Sequence, residues 1–228
     1  MYFLVDNKLK IIFGWTPKCG CSHIKKMFGY LRTDNINSKI HIPSENGHLP
    51  NNMDNYTTIL IIRNPYEKVI SGFLDKYNPN GSFRHKWTNN NLVFSKFVDE
   101  LVIKNWNLID KHHFLPQVAE HFNKSNILKS KYLKIYDIKN IDYSYIEKLY
   151  NKKIPEFVLN YKGGHERNAT NILEEYVYDL DINLYYKNNV PLKYFYNEDI
   201  KNKVSNFYKD DILFLKESGF DYVEETIF

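Results

Sequence analysis

Cysteine is almost missing from this chain: Cys19 and Cys21 are its only two, with a single residue between them. That spacing is too tight for an ordinary disulfide, so no disulfide framework can staple the fold, and a reducing compartment is expected. Long apolar runs are lacking as well. No stretch approaches the roughly 18–20 residues that a membrane-spanning helix needs, and no N-terminal segment has the apolar core of a signal peptide. A soluble, cytoplasmic protein without a transmembrane segment is therefore the expectation. Charge of one sign is scarce too, with 31 Lys and Arg against 27 Asp and Glu, a net of +4. So mild an excess suits anionic small molecules; the dense basic runs of a nucleic-acid binder are absent. Repeats and any sign of a second domain are also absent. Residues 1–228 thus read as one domain, long enough to bury a core.

What is present is an alternation. Lys10 to Trp15, Thr57 to Arg63 ("TTILIIR") and 132–138 ("YLKIYDI") are short, β-branched apolar runs, as strands buried on both faces require. Helical spacing follows each. Cys21, Ile24, Phe28 and Leu31 form one apolar stripe, and Val69, Ile70, Phe73, Leu74 and Tyr77 form another. Asn64 is placed to cap the second helix, with Pro65 at its first position and Glu67 where a capping-box acid belongs. A third helix is predicted near Tyr143 to Tyr150, and a last one from Glu198 to Glu217 with its stop at Gly219. Strands alternating with helices predict an α/β fold, three-layered and P-loop-like, whose central, mostly parallel sheet is flanked by helices. Two long polar stretches, Thr33 to Asn55 and Asn78 to Asn91, interrupt the pattern and read as functional lids or disordered segments.

The segment "IIFGWTPKCGCSHIKKMF" (11–28) runs from strand to tight loop to basic helix, the place where α/β proteins hold phosphate. Pro17 sets a turn and Gly20 lets the backbone approach a ligand. The N–H groups at Cys21 and Ser22 open the helix, and Lys18 and Lys25 supply charge. The nucleotide-binding motif G-x-x-x-x-G-K-[ST] does not fit. Gly14 and Gly20 are one residue too far apart, Cys21 stands where Lys belongs, and "TTILIIRN" lacks an acid for Mg²⁺. Cys19, Cys21 and His23 lack a fourth metal ligand, so no metal is assigned, and the cysteines read as small packing residues. A second anion site is legible in "IIRNPYEKVISGF" (61–73). Arg63 ends a buried strand and Ser71 follows eight residues later, beside a Gly72 that leaves the helix bare; fork and hydroxyl can grip one phosphate from two directions.

Together these segments resemble the sulfotransferases, most closely the carbohydrate sulfotransferases. The first is similar to the 5′-phosphosulfate loop P-K-x-G-C-T-x-x-K, here Pro17-Lys18-Cys19-Gly20-Cys21-Ser22 with Lys25, Ser replacing Thr. The second matches the 3′-phosphate motif R-[DN]-P-[YF]-x-[RK]-x-x-S through Arg63, Asn64, Pro65, Tyr66, Lys68 and Ser71. The resemblance implies 3′-phosphoadenosine 5′-phosphosulfate as donor, no metal, and an acceptor hydroxyl for which a saccharide or glycoconjugate is expected. It casts Lys18 as the cation that meets the leaving oxygen. "DKHHFLPQ" (110–117) resembles the family segment H-W-x-P-Q with Phe114 for Trp, which makes His113 the candidate base and puts Gln117 on the motif Gln. "GGHERNATN" (163–171) is similar to a late family segment in which Arg167 would reach the nucleotide or an anionic acceptor. The rival readings are a P-loop nucleotide or sugar kinase and a nucleotide-binding module that has lost transfer.

Overall fold

The computed structural model describes residues 1–34, 49–87, 91–118, 124–161 and 171–222. Among the described residues four strands, β1 (Tyr2–Asp6), β2 (Ile11–Trp15), β3 (Thr57–Ile62) and β4 (Tyr132–Asp137), make one sheet in the order β1-β2-β3-β4. β2, β3 and β4 run parallel, and β1 adds an antiparallel edge. The turn into β2 is built by Asp6, whose carboxylate accepts from the N–H groups of Lys8 and Leu9 at 3.0 Å each. The helices are α1 (Cys21–Thr33), α2 (Pro65–Lys76), α3 (Phe94–Val102), α4 (Lys111–Phe114), α5 (Lys124–Ile127), α6 (Tyr143–Tyr150), α7 (Glu156–Leu159), α8 (Ile182–Tyr185), α9 (Glu198–Phe207) and α10 (Lys209–Glu217). This is the mixed α/β architecture, with a mostly parallel sheet flanked by helices, that the alternation predicts.

The residues group into two compact units, each made of two separated stretches of chain: Met1–Arg63 with Gln117–Gly164, and Asn64–Pro116 with His165–Phe228. The first holds the sheet. Every residue of β2 and β3 is buried, which explains why these strands read as continuous apolar runs. The alternate residues Ile11, Phe13 and Trp15 of β2 and Ile59 and Ile61 of β3 share a core with Ile24, Met27, Phe28 and Leu31 of α1. Ile146 and Tyr150 of α6 and Val158 of α7 complete it.

Among the described residues the second unit contributes helices and no strand to the sheet, and its core is rich in aromatic side chains. Phe97 lies 4.9 Å from Phe73, 5.0 Å from Tyr77 and 5.0 Å from Phe114, ring centre to ring centre, in the tilted and edge-on arrangements that ring quadrupoles favour. The single last helix expected over 198–217 is two helices. Tyr208 breaks it at φ −102° and ψ 23°, and the buried Tyr208 hydroxyl donates to the Phe114 carbonyl at 2.6 Å. The stop at Gly219 holds: at φ +88° it takes the left-handed turn, and Phe220 N–H closes on the Leu215 carbonyl at 2.9 Å.

Candidate functional site

In the first unit, the loop after β2 is shaped by two left-handed residues, Lys18 (φ +67°) and Gly20 (φ +70°). Cys19 N–H donates to the Thr16 carbonyl at 3.1 Å to close the turn. Glycine is required at position 20 on two counts, since a Cβ there would collide with the Ile138 side chain and the left-handed conformation is strained for any other residue. A non-glycine residue pays roughly 1–2 kcal/mol for the same conformation, so Lys18 is held in its posture by the surrounding bonds. Gly20 offers no side chain to cap α1. The first-turn N–H groups and the positive dipole end of a 13-residue helix therefore face the loop, an arrangement able to hold an anion.

Lys25 lies one turn into α1 with its ammonium 3.9 Å above the Trp15 ring. Burial lowers its pKa below the usual lysine range, and the nearby Cys21 thiol opposes that only in part. His23 is packed away from the loop: its Nε2 meets the Tyr143 hydroxyl at 3.0 Å, and burial lowers its pKa. Among the described residues no group of three or more His, Cys, Asp and Glu side chains is arranged to hold a metal ion. The two cysteines differ. Cys21 is only half-buried, whereas Cys19 is fully buried and hydrogen-bonded, accepting from Thr16 Oγ1 at 3.0 Å and donating to Gln117 Oε1 at 3.2 Å.

Arg63 follows the last residue of β3, and its Nη1 donates to the Lys18 carbonyl at 3.0 Å. The guanidinium therefore stands beside the phosphate-type loop of the same unit. The Arg63 backbone is bound at both ends by one side chain: Gln117 Oε1 accepts its N–H at 3.0 Å, and Gln117 Nε2 donates to its carbonyl at 2.8 Å.

In the second unit, α2 starts as expected, with Asn64 Oδ1 accepting from Tyr66 N–H at 2.9 Å and Pro65 in the first turn. Ser71 is half-buried on this helix. Gly72 does not leave the helix bare for a ligand. A Cβ there would stand 2.6 Å from the Phe114 ring, so glycine admits an aromatic side chain of the unit's own core. Lys68 is fully buried and donates to the carbonyls of His113 at 3.2 Å and Leu115 at 2.8 Å. His113 Nδ1 lies 2.5 Å from Asp110 Oδ2. Burial raises the Asp110 pKa, but the hydrogen bond and charge of His113, with His112 adding to them, outweigh it and hold the carboxyl below its ordinary range. A carboxylate at Nδ1 selects the tautomer protonated there and leaves Nε2 with its lone pair. Tyr77 sets the acid in turn, accepting from Asp110 N–H at 2.8 Å.

Of the residues singled out in the sequence, Pro17, Lys18, Cys19, Gly20, Cys21, Ser22, Lys25 and Arg63 thus lie in one unit, with the loop and Arg63 in direct contact. Ser71 and His113 lie in the other. Arg167 falls outside the described residues, as does most of 163–171. Sequence reasoning missed Asp110 and the work of Gln117 and Lys68. Only Asp110 left a local signal, an acid three residues before a histidine and so on the same side of a helical turn.

The family model described as "Sulfotransferase family" matches residues 1–216. Carbohydrate sulfotransferase 11 of Danio rerio is 24% identical over 92 residues, covering 33% of this chain and 26% of that protein. The chain thus matches about a quarter of that curated relative's length. No solved structure matches. Among the described residues no helix is long and apolar enough to cross a membrane.

Proposed function

The chain belongs to the sulfotransferase family, and from that premise we propose that it transfers the sulfuryl group of 3′-phosphoadenosine 5′-phosphosulfate to a hydroxyl group of a carbohydrate. The observation that carries the reading is the contact of Arg63 with the Lys18 carbonyl. It puts a fork-shaped cation next to a helix N-terminus in a single unit, as a donor with anionic groups at both ends demands. The similarity to the zebrafish carbohydrate sulfotransferase supports a carbohydrate acceptor.

In this reading the first-turn N–H groups of α1 with Ser22 and Lys25 hold the 5′-phosphate, and Arg63 grips the 3′-phosphate, a role for which the sequence motif also names Ser71. His113 Nε2 takes the proton of the acceptor hydroxyl as its oxygen bonds to sulfur. The bond from sulfur to the bridging oxygen breaks, its electron pair stays on the 5′-phosphate, and Lys18 neutralises that developing charge. Charge balance at the leaving oxygen comes from protein cations, with no metal required. Residues 1–228 act as a single sulfotransferase domain.

The test is transfer of labelled sulfate from that donor to a panel of saccharides. Lys18→Ala should lower turnover by about 10²–10³-fold, the worth of one charge-stabilising group, with the fold intact. A near-normal rate would remove Lys18 from the chemistry. Tight binding of adenosine 3′,5′-bisphosphate without turnover on any acceptor would leave a binding module, and a response only to ATP with magnesium would point to a kinase.

A further inference from the structure

The hydrogen bonds of Gln117 form part of a closed ring. Its carboxamide joins the N–H and C=O of Arg63, and its Oε1 also receives the Cys19 thiol. Cys19 is tied to Thr16, and Arg63 Nη1 returns to the Lys18 carbonyl. Each partner is a loop or strand-end residue of one unit, and Gln117 is almost completely buried. The pairing of β3 with β4 ends at Ile62 with Asp137, so Arg63 is the first residue beyond the ladder. A strand end without a neighbour would leave its backbone groups to water and its side chain free to turn. The carboxamide takes the neighbour's place, donor facing carbonyl and acceptor facing N–H.

We propose that Gln117 is a positioning residue for the donor: its carboxamide locks the Arg63 backbone against the Thr16–Cys19 loop, so that Arg63 is already aimed when the 3′-phosphate arrives. The inference rests on the donor reading above and assigns a further residue to it. Because one amide serves both the loop and the strand end, loosening it disturbs the grip on the 3′-phosphate before it disturbs the core of the unit.

Two measurements test this on the full chain. The first is amide hydrogen exchange at Arg63, read by NMR in the parent and in Gln117→Met, which keeps the volume and removes every hydrogen bond. Exchange at Arg63 should quicken about tenfold or more while Ile59 to Ile61 keep their protection, because only the local bond is lost. Unchanged protection at Arg63 overturns the inference whatever the ligand. The second compares adenosine 3′,5′-bisphosphate with adenosine 5′-monophosphate by calorimetry. The parent should prefer the bisphosphate about tenfold or more, as one charge-assisted phosphate contact provides, and Gln117→Met should lose most of that preference. A preference that survives in the variant overturns the inference alone. Absence of the preference in the parent overturns the 3′-phosphate clamp of Arg63 and the inference with it. If Gln117→Met does not fold, Gln117→Glu replaces it in the calorimetric comparison alone, since it leaves the bond read by exchange at Arg63 in place. That variant keeps the acceptor for Arg63 N–H and Cys19 but cannot donate to the Arg63 carbonyl, and it should lose the preference in the same way.

Discussion

At the residue scale, the chemistry depends on side chains whose partners set what they can do. His113 alone is a partly exposed histidine; Asp110 2.5 Å from Nδ1 favours the tautomer whose Nε2 the proposed base role needs. Asp110→Asn should therefore lower kcat about tenfold or more while leaving nucleotide affinity unchanged, since an amide no longer selects that tautomer. Steady-state kinetics with calorimetry checks it, and an unchanged kcat would dismiss Asp110 from the mechanism. The same residue makes a stability prediction. Its folded pKa is depressed, so its contribution is present above the unfolded value of about 3.9 and is lost as pH falls through the lower folded value. Urea midpoints of the parent and Asp110→Asn should differ near pH 5, start to approach each other as pH falls below about 3.9, and meet only below the depressed folded value. Sequence pattern named His113 through its motif but passed over Asp110, whose signal was no more than an acid three residues before a histidine, on a stretch that folds as a single helical turn.

At the element scale, α4 is a single turn, too short to hold itself by backbone bonds. Side chains hold it. Lys68 of α2 takes the carbonyls of residues 113 and 115, and Tyr208 takes that of Phe114 between them, so three successive carbonyls are satisfied from two distant helical segments. This explains why a cation at position 68 of a phosphate-type motif is buried, and why the last helix gives up its continuity at Tyr208. Lys68→Met should destabilise the protein by about 1–3 kcal/mol and reduce kcat more than it reduces donor affinity, because His113 loses its support. Chemical denaturation and kinetics check both halves; a variant with normal kcat would leave Lys68 a purely structural residue. Element starts were legible wherever the signal was local, as at Asn64-Pro65 before α2 and Gly20 before α1. The break at Tyr208 was not, because it answers to a carbonyl 94 residues away along the chain.

At the scale of the whole molecule, a ligand that binds only the folded chain must raise its melting temperature. Saturating adenosine 3′,5′-bisphosphate at about 100 times its Kd adds about 2.7 kcal/mol, which for a chain of this size is a rise of roughly 5–10 °C. The rise should be the same with magnesium or with a chelator, since Lys18, Lys25 and Arg63 supply the positive charge in the proposed site. A shift that required magnesium would return the loop to the nucleotide kinases.

Periodicity, caps and turn residues act within one or two helical turns. The sequence by itself therefore determined the alternation of strand and helix, the glycine-opened loop before α1 and the Arg63–Asn64–Pro65 junction. Two compact units, each made from separated stretches, and the partners of the buried polar groups were decided only by tertiary structure. Gln117 reaches Arg63 across 54 positions and Lys68 reaches His113 across 45. Such pairs are chosen by how the whole chain packs, and a buried donor takes whichever acceptor the topology delivers to it.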